Sequence, residues 1–267
     1  MIGWMRALDA VVRRDTLRFF KQTSRLVSAI VRPALWLLVF AAGFQNVLGV
    51  SISPPYETYI PYDVYMAPGL LGMVLLFQGM QSSLSLVFDR EVGLLRLLLT
   101  SPFPRAYLLF VKLVAGTILG VLQALVFLAI ARLAGVDLPD MAFITVIPAL
   151  IIGGFTLASL GLLLSVYVKR LENYAGAMNF VIFPSFFFST ALYPLWKIAE
   201  SGALWIVYVA QINPFTSVVE LIRFALYGQI EWKALGITLA AGLIAFMVAA
   251  RGYDPQRGML GRKSQES

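Results

Sequence analysis

The residues best equipped for chemistry lie in one polar stretch, Asp89 to Arg105, which reads Asp-Arg-Glu-Val-Gly-Leu-Leu-Arg-Leu-Leu-Leu-Thr-Ser-Pro-Phe-Pro-Arg. Asp89, Arg90, Glu91 and Arg96 carry its charge, while Leu94, Leu95, Leu97, Leu98 and Leu99 give it an apolar body. Read as a short helix, the stretch lies in a membrane interface and shows its charges to water. Pro102 and Pro104 end it, because proline lacks the helical donor and disfavours the helical region for the residue before it. The next apolar segment therefore starts afresh at about Tyr107.

Bond-making chemistry has few candidates. The chain has no Cys and no His, which excludes disulfides, thiolate nucleophiles, imidazole bases and the common zinc sites. No Gly-x-x-x-x-Gly-Lys-Ser/Thr occurs. The nearest string, Gly258 to Ser264, lacks the Gly-Lys pair and sits in a polar tail, so the chain is expected not to hydrolyse ATP by itself. Aromatic residues sit inside apolar runs rather than among Lys and Arg, which gives no stacking groove for nucleic acid.

The elements around the polar stretch are those of an integral membrane protein. Of the 267 residues, 60% are hydrophobic and 13% charged, and the mean hydropathy is +0.82, well beyond a soluble domain. Residues 1–25 hold Arg6, Arg13, Arg14, Arg18, Lys21 and Arg25 against Asp9 and Asp15. Trp4, Leu8, Val11, Val12 and Phe19 share one arc of a helical wheel, which suits a helix lying flat on an anionic leaflet. Asp15 falls inside that arc, where a break is expected. A cleaved signal peptide fits poorly, because the basic region is long and no clear Ala-x-Ala site follows.

Six apolar segments follow: Pro33–Val50, Val64–Phe88, Tyr107–Ile130, Met141–Val168, Tyr174–Leu195 and Trp232–Ala250. Each is near or above the roughly 20 residues needed to cross about 30 Å of hydrocarbon. Basic residues set the orientation. With the N-terminus in the cytoplasm, 16 fall inside (the six named above, Arg90, Arg96, Arg105, Lys112, Lys169, Arg170, Arg251, Arg257, Arg262 and Lys263). Four, Arg132, Lys197, Arg223 and Lys233, fall outside. Both termini, including the tail 251–267, are thus expected in the cytoplasm, with the stretch 89–105. Between spans five and six, residues 196–231 form an external section in which Glu220 and Arg223 pair on one helix face. As a crossing this piece would leave an ion pair deep in lipid, so it reads as a half-inserted helix packed against protein.

The pattern acidic-Arg-Glu-x-Gly-x-Leu-x-x-Leu-Leu-x-Ser-Pro, carried by Asp89, Arg90, Glu91, Gly93, Leu98, Ser101, Pro102 and Arg105, resembles the coupling-helix region of type-2 ABC exporter permeases. Pro184 to Pro194, then Asn213, Pro214 and the Glu220 to Arg223 helix, are similar to the fifth helix and external gate helices of that family. The resemblance implies an all-α fold in a single domain: six transmembrane helices, an N-terminal interfacial helix, a cytoplasmic coupling helix and external half-inserted helices. It further implies a multi-pass subunit of the cell membrane, the bacterial inner membrane, in a homodimer or a heterodimer with a paralogue. Two ABC ATPase subunits would bind ATP and Mg, and the coupling helix, Leu94 included, would dock on them. The substrate is not legible.

The interior of the spans bears on mechanism. Apart from Lys233 at the outer edge of the last span, Lys112 is their one charged residue, close enough to the inner end to snorkel, so a proton-coupled transporter lacks its buried acid. An intramembrane serine protease lacks His and Gly-x-Ser-x-Gly. Lipid or glycan transfer through Asp63, Asp137 and Asp140 stays open as an alternative, as does a passive channel. Gln78, Gln81, Ser82 and Ser85 recur at helical spacing and either hydrogen-bond a neighbouring helix or line a passage. Phe180, Phe183 and Phe187 share a face of the fifth span that in the family borders the passage; an apolar gate or a lipid-facing surface both fit. Gly116 and Gly120, with Gly154, Ala158, Gly161 and Ser165, are small-residue packing faces.

Overall fold

The computed structural model describes residues 2–21, 31, 33–39, 54–92, 103–168, 170–200 and 202–252. Their regular elements are all helical. In chain order they are α1 (Ile2–Lys21), α2 (Tyr62–Glu91), α3 (Arg105–Leu133), α4 (Ala142–Thr145), α5 (Ile147–Tyr167), α6 (Leu171–Phe187), α7 (Leu195–Glu200), α8 (Leu204–Ile212), α9 (Pro214–Leu226) and α10 (Trp232–Gly252). Among the described residues, four stretches are long and apolar enough to cross a membrane: α2, α3, α4 with α5, and α10. The pair α8 and α9, bent by 78°, adds a fifth if it is one broken span.

Helix α2 is the axis, packed against α5, α3, α6 and α9. Its 30 residues span roughly 45 Å at about 1.5 Å each, more than the hydrocarbon layer, so its charged last turn projects beyond the apolar core. Backbones approach closely where it crosses α5. A Cβ on Gly79 would lie 2.8 Å from the backbone of Ala158, and one on Gly161 would lie 3.0 Å from the Gly79 carbonyl oxygen. The buried hydroxyl of Tyr174 caps this crossing, 3.1 Å from the carbonyl of Gly161 and 3.3 Å from that of Met80. Gly116 on α3 admits Ser82 in the same way, so the small-residue faces do the packing expected of them.

Helix α10 seats Ala234, Thr238, Gly242, Ala245 and Ala249 inward, and Thr156 on α5 donates to the Thr238 carbonyl at 3.0 Å. Its outer face leaves Leu239, Leu243, Ile244, Met247 and Val248 exposed. Large apolar side chains outside and small ones between helices are the pattern of a bundle solvated by lipid, where packing and not apolar burial drives association.

Several expected boundaries move by a few residues, and three differences are informative. The predicted fifth span ends at Phe187, not Leu195, with a turn over 188–194 before α7. Pro184 removes one helical donor near that end, and Ser189 takes over the local bonding by donating to the Phe186 carbonyl and accepting from the Ala191 N–H. Helix α1 runs unbroken through Asp15. The third predicted segment starts at Arg105, two residues early, immediately after Pro104. Most of the first predicted span lies outside the described residues; within 33–39 the chain is helical, and Trp36 meets Phe186 edge-on at 6.0 Å.

Candidate functional site

Asp89, Arg90 and Glu91 do not open a separate interfacial helix. They form the last turn of α2, and each binds a different neighbour. Asp89 is 7% exposed and its Oδ2 lies 3.3 Å from Nζ of Lys112 on α3. Arg90 Nη2 donates to the carbonyls of Ser165 and Val168, both at 3.1 Å. These are orphan acceptors at the C-terminus of α5, where a cation also complements the helix dipole. Glu91 Oε1 accepts from the N–H of Leu171 at 2.8 Å. That donor is the first residue of α6, where an anion is favoured for the mirror-image reason.

Lys112 does not snorkel. It is 6% exposed and has two carboxylate neighbours, Asp89 and, at 3.7 Å, Asp15 of α1. A buried ammonium needs such partners, since an unpaired one would cost several kcal/mol or more. This explains why α1 does not break at Asp15. The acid in its apolar arc is the group that docks the helix on α3, with Arg14 Nη2 on its other side at 2.9 Å. Ring packing secures the N-terminal end of α1: Trp4 lies edge-on to Phe103 at 5.2 Å and to Tyr107 at 4.4 Å, and the Tyr107 hydroxyl donates to the Trp4 carbonyl. Trp4, Asp15 and Phe19 of the apolar arc are therefore engaged by protein.

Arg105 is exposed at the first turn of α3. Gly93, Leu94, Arg96, Ser101 and Pro102 lie outside the described residues. The turn of Asp89, Arg90 and Glu91 is thus a clamp that joins the ends of α2, α3, α5 and α6 with α1, at the point where the chain enters the rest of the predicted coupling stretch.

The two sets of expected passage residues, one on α2 and one on α6, lie on different sides of α2. Gln78 is buried and accepts from Gln123 Nε2 on α3 at 2.9 Å, a helix-to-helix bond. Gln81, Ser82 and Ser85 join it, with Asp15, Phe19, Gly116 and Leu119, around a cleft of about 50 Å³ between α1, α2 and α3. Phe183 faces the adjacent side, 6.4 Å from the ring of Phe77. Phe180 is 80% exposed, and Phe183 and Phe187 are also exposed. None of the three phenylalanines lines the cleft beside the glutamine stripe.

At the opposite end of the bundle, Asn213 caps α9: its Oδ1 accepts from the Phe215 N–H at 3.0 Å, with Pro214 in the first turn. Arg223 pairs with Glu220 as expected, but it is almost wholly buried, lies 4.1 Å over the ring of Tyr65, and donates to the Thr190 carbonyl at 2.8 Å. Helix α9 is accordingly packed on protein. Tyr62, Tyr65 and Tyr174 are polar anchors that sequence reasoning passed over, since a tyrosine inside an apolar run looks like any aromatic until its hydroxyl finds a carbonyl.

Of the acids of the enzymatic alternative, two are engaged locally. Asp63 accepts from the Val64 N–H at 3.0 Å, Asp140 pairs with Arg132 at 2.7 Å, and Asp137 is exposed. Among the described residues no group of His, Cys, Asp or Glu is arranged to hold a metal ion.

Over residues 6–227 the sequence matches the family model described as ABC-2 type transporter. It is 31% identical over 236 residues to a protein named putative transport permease ycf38 of Cyanophora paradoxa, covering 86% of this chain and 77% of that protein. The protein of the same name from Porphyra purpurea is 29% identical over 231 residues, with coverages of 85% and 75%. The daunorubicin resistance ABC transporter permease protein DrrB1 of Streptomyces coeruleorubidus is 26% identical over 230 residues, with coverages of 83% and 76%. The matched region takes in the clamp, the glutamine stripe and α9.

Proposed function

Because the chain belongs to the ABC-2 type transporter family, we propose that it is the multi-pass membrane subunit of an ATP-driven exporter. It works as a dimer, with a second copy or a paralogue, on two separate ATPase subunits that bind ATP and Mg. Six spans place both termini and the 89–105 stretch in the cytoplasm. Four of the spans correspond to α2, α3, α4 with α5, and α10, a fifth to α6, and the first to the segment from Pro33. Substrate leaves the cytoplasm or the inner leaflet.

The observation that supports this reading best is the clamp. Asp89, Arg90 and Glu91 bond to α3, α5 and α6, so a push on the connection that follows them is delivered to most of the bundle at once. A surface helix tethered only through its chain ends would deliver it to α2 and α3 alone. Gly93, Leu94, Arg96, Ser101, Pro102 and Arg105 supply the docking surface, and Phe180, Phe183 and Phe187 face the dimer centre.

The test is hydrolysis by a reconstituted complex. The chain alone hydrolyses no ATP, and the complex does. Arg96→Glu and Arg105→Glu, at normal protein level and dimer content, lower transport-linked hydrolysis roughly tenfold to a hundredfold, the worth of a lost charge-assisted contact of about 1.5–3 kcal/mol. Wild-type activity in both variants, or hydrolysis by a preparation free of any P-loop protein, refutes the assignment.

A further inference from the structure

We infer that α9 and the turn after α6 form a fixed pivot and not a gate that opens, so that α6 swings about this end while its Leu171 end moves with the clamp. The inference rests on the proposed transport function and goes beyond it. The turn is non-helical, and Ser189, Thr190, Ala191 and Leu192 are all buried, so its carbonyls need donors from the protein. They receive them from two other helices. Asn213 Nδ2 of α9 donates to the carbonyls of Ser185 and Phe188 at 2.7 and 2.8 Å. Arg223 of α9 and Tyr65 of α2 both donate to the Thr190 carbonyl, at 2.8 and 2.9 Å. Tyr62 of α2 donates to the Leu192 carbonyl at 2.9 Å.

Packing is as tight as the bonding. A Cβ on Gly69 would lie 2.7 Å from the backbone of Ala191, so α2 and the turn are in backbone contact. Arg223 keeps its charge in this buried place through Glu220 and the Tyr65 face. Sliding the turn along α2 would strand several buried donors and acceptors together, and each unpaired group opposes the motion. The other half of α6 is built differently. Glu172, Asn173, Ala175, Gly176, Asn179 and Phe180 are exposed, a Cβ on Gly176 would meet nothing within 4 Å, and Glu91 holds the first N–H. One end is bolted to α2 and α9; the other, held to the clamp end of α2 and to α5 through Glu91 and the buried Tyr174 hydroxyl, follows the turn that the ATPase is proposed to push.

Spin labels test this in a chain that has no native cysteine. Tyr193→Cys with Gln229→Cys reports the pivot, and Asn173→Cys with Gln229→Cys reports the moving end; all three positions are exposed. Distances are read by pulsed electron paramagnetic resonance in the dimeric complex with its ATPase, labelled chains diluted with unlabelled ones, with and without a non-hydrolysable ATP analogue. An unchanged 193–229 distance with a shifted 173–229 distance is expected. A shift at 193–229, or no shift in either pair while nucleotide is bound, overturns the inference. A second arm needs no ATPase: the double variant Glu220→Gln, Arg223→Met in phosphatidylethanolamine and phosphatidylglycerol vesicles. A pivot leaves trapped fluorophore retained as in wild type, whereas a severalfold faster release marks Arg223 as the latch of a gate and overturns the inference. Failure to recover any nucleotide-responsive complex counts against the transport reading, and the vesicle arm still decides the pivot.

Discussion

Replacing Lys112 tests the clamp most directly, because three substitutions around one ammonium should differ in a fixed order. Lys112→Met removes the cation and leaves Asp89, buried at the end of α2, without its partner. Stranding one member of a buried pair costs roughly 3–5 kcal/mol. Asp89→Asn leaves Lys112 with Asp15 at 3.7 Å and an amide oxygen that still accepts, so roughly 2–3 kcal/mol is lost. Asp15→Asn removes the longer contact from a side chain that is 18% exposed and leaves the 3.3 Å pair with Asp89 intact, for about 1 kcal/mol. At about 2–4 °C per kcal/mol for a chain of this size, thermal unfolding of the purified protein in detergent should fall by roughly 6–20 °C for Lys112→Met. Asp15→Asn should lower it by only about 2–4 °C. The double variant Lys112→Met, Asp89→Leu exchanges the pair for apolar volume and should recover most of the loss. Equal shifts in the three single variants, or a double variant no better than Lys112→Met, would refute the buried pair.

Arg90→Met should lower the thermal midpoint by the equivalent of roughly 1.5–3 kcal/mol, the worth of a hydrogen-bonded charge, with Arg90→Lys in between; scanning calorimetry of the purified protein measures it. Gly79→Leu should prevent accumulation of a monodisperse protein, because even its Cβ meets the Ala158 backbone at 2.8 Å, whereas Gly176→Ala, with nothing within 4 Å, should be neutral or slightly stabilising; size-exclusion profiles of the two separate these outcomes. Single cysteines at Ser53 and Gln229 should react with an impermeant thiol reagent in intact cells, and those at Ser101 and Ser264 only after the membrane is opened; labelling of Ser101→Cys from outside would invert the proposed orientation.

Periodicity and length made the helices legible: long apolar runs became α2, α3, α5 and α10 with ends displaced by a few residues, and Pro104 marked the start of α3 correctly to within two. The glycines were legible as packing because a small residue between apolar helices has few other uses. What stayed hidden were partners distant in sequence. Lys112 looked like a snorkelling residue since nothing local opposes its charge; its counter-ions come from positions 15 and 89. Sequence spacing pairs Arg223 with Glu220 on one helix face, but the groups that bury it, Tyr65 and Thr190, come from other elements. The apolar Phe188, Ala191 and Leu192 carry the predicted fifth span on to Leu195, since an apolar turn bonded by side chains from two other helices has no local signature.

Helix geometry constrains where the charged triplet can point. Consecutive residues on a helix point about 100° apart, so three adjacent charges at the end of a helix surrounded by neighbours cannot share one water-facing side. Placed on a central helix, they must fan out to three partners, and the partner types follow from helix polarity. An arginine suits the C-terminus of an incoming helix, and a glutamate the N-terminus of the next. Arg90 and Glu91 satisfy this on the two sides of a single turn, the carbonyls of Ser165 and Val168 and the N–H of Leu171. The prediction that follows is a coupled one. Reversing both charges, Arg90→Glu with Glu91→Arg, preserves the net charge and any attraction the stretch has for a basic or acidic partner, yet puts each charge against the wrong helix end. If the triplet acted only as a docking patch, that exchange would leave stability unchanged. If it clamps α5 to α6, the exchange should destabilise the purified chain by more than either single neutral substitution, Arg90→Met or Glu91→Gln, and thermal unfolding of the three variants distinguishes the two.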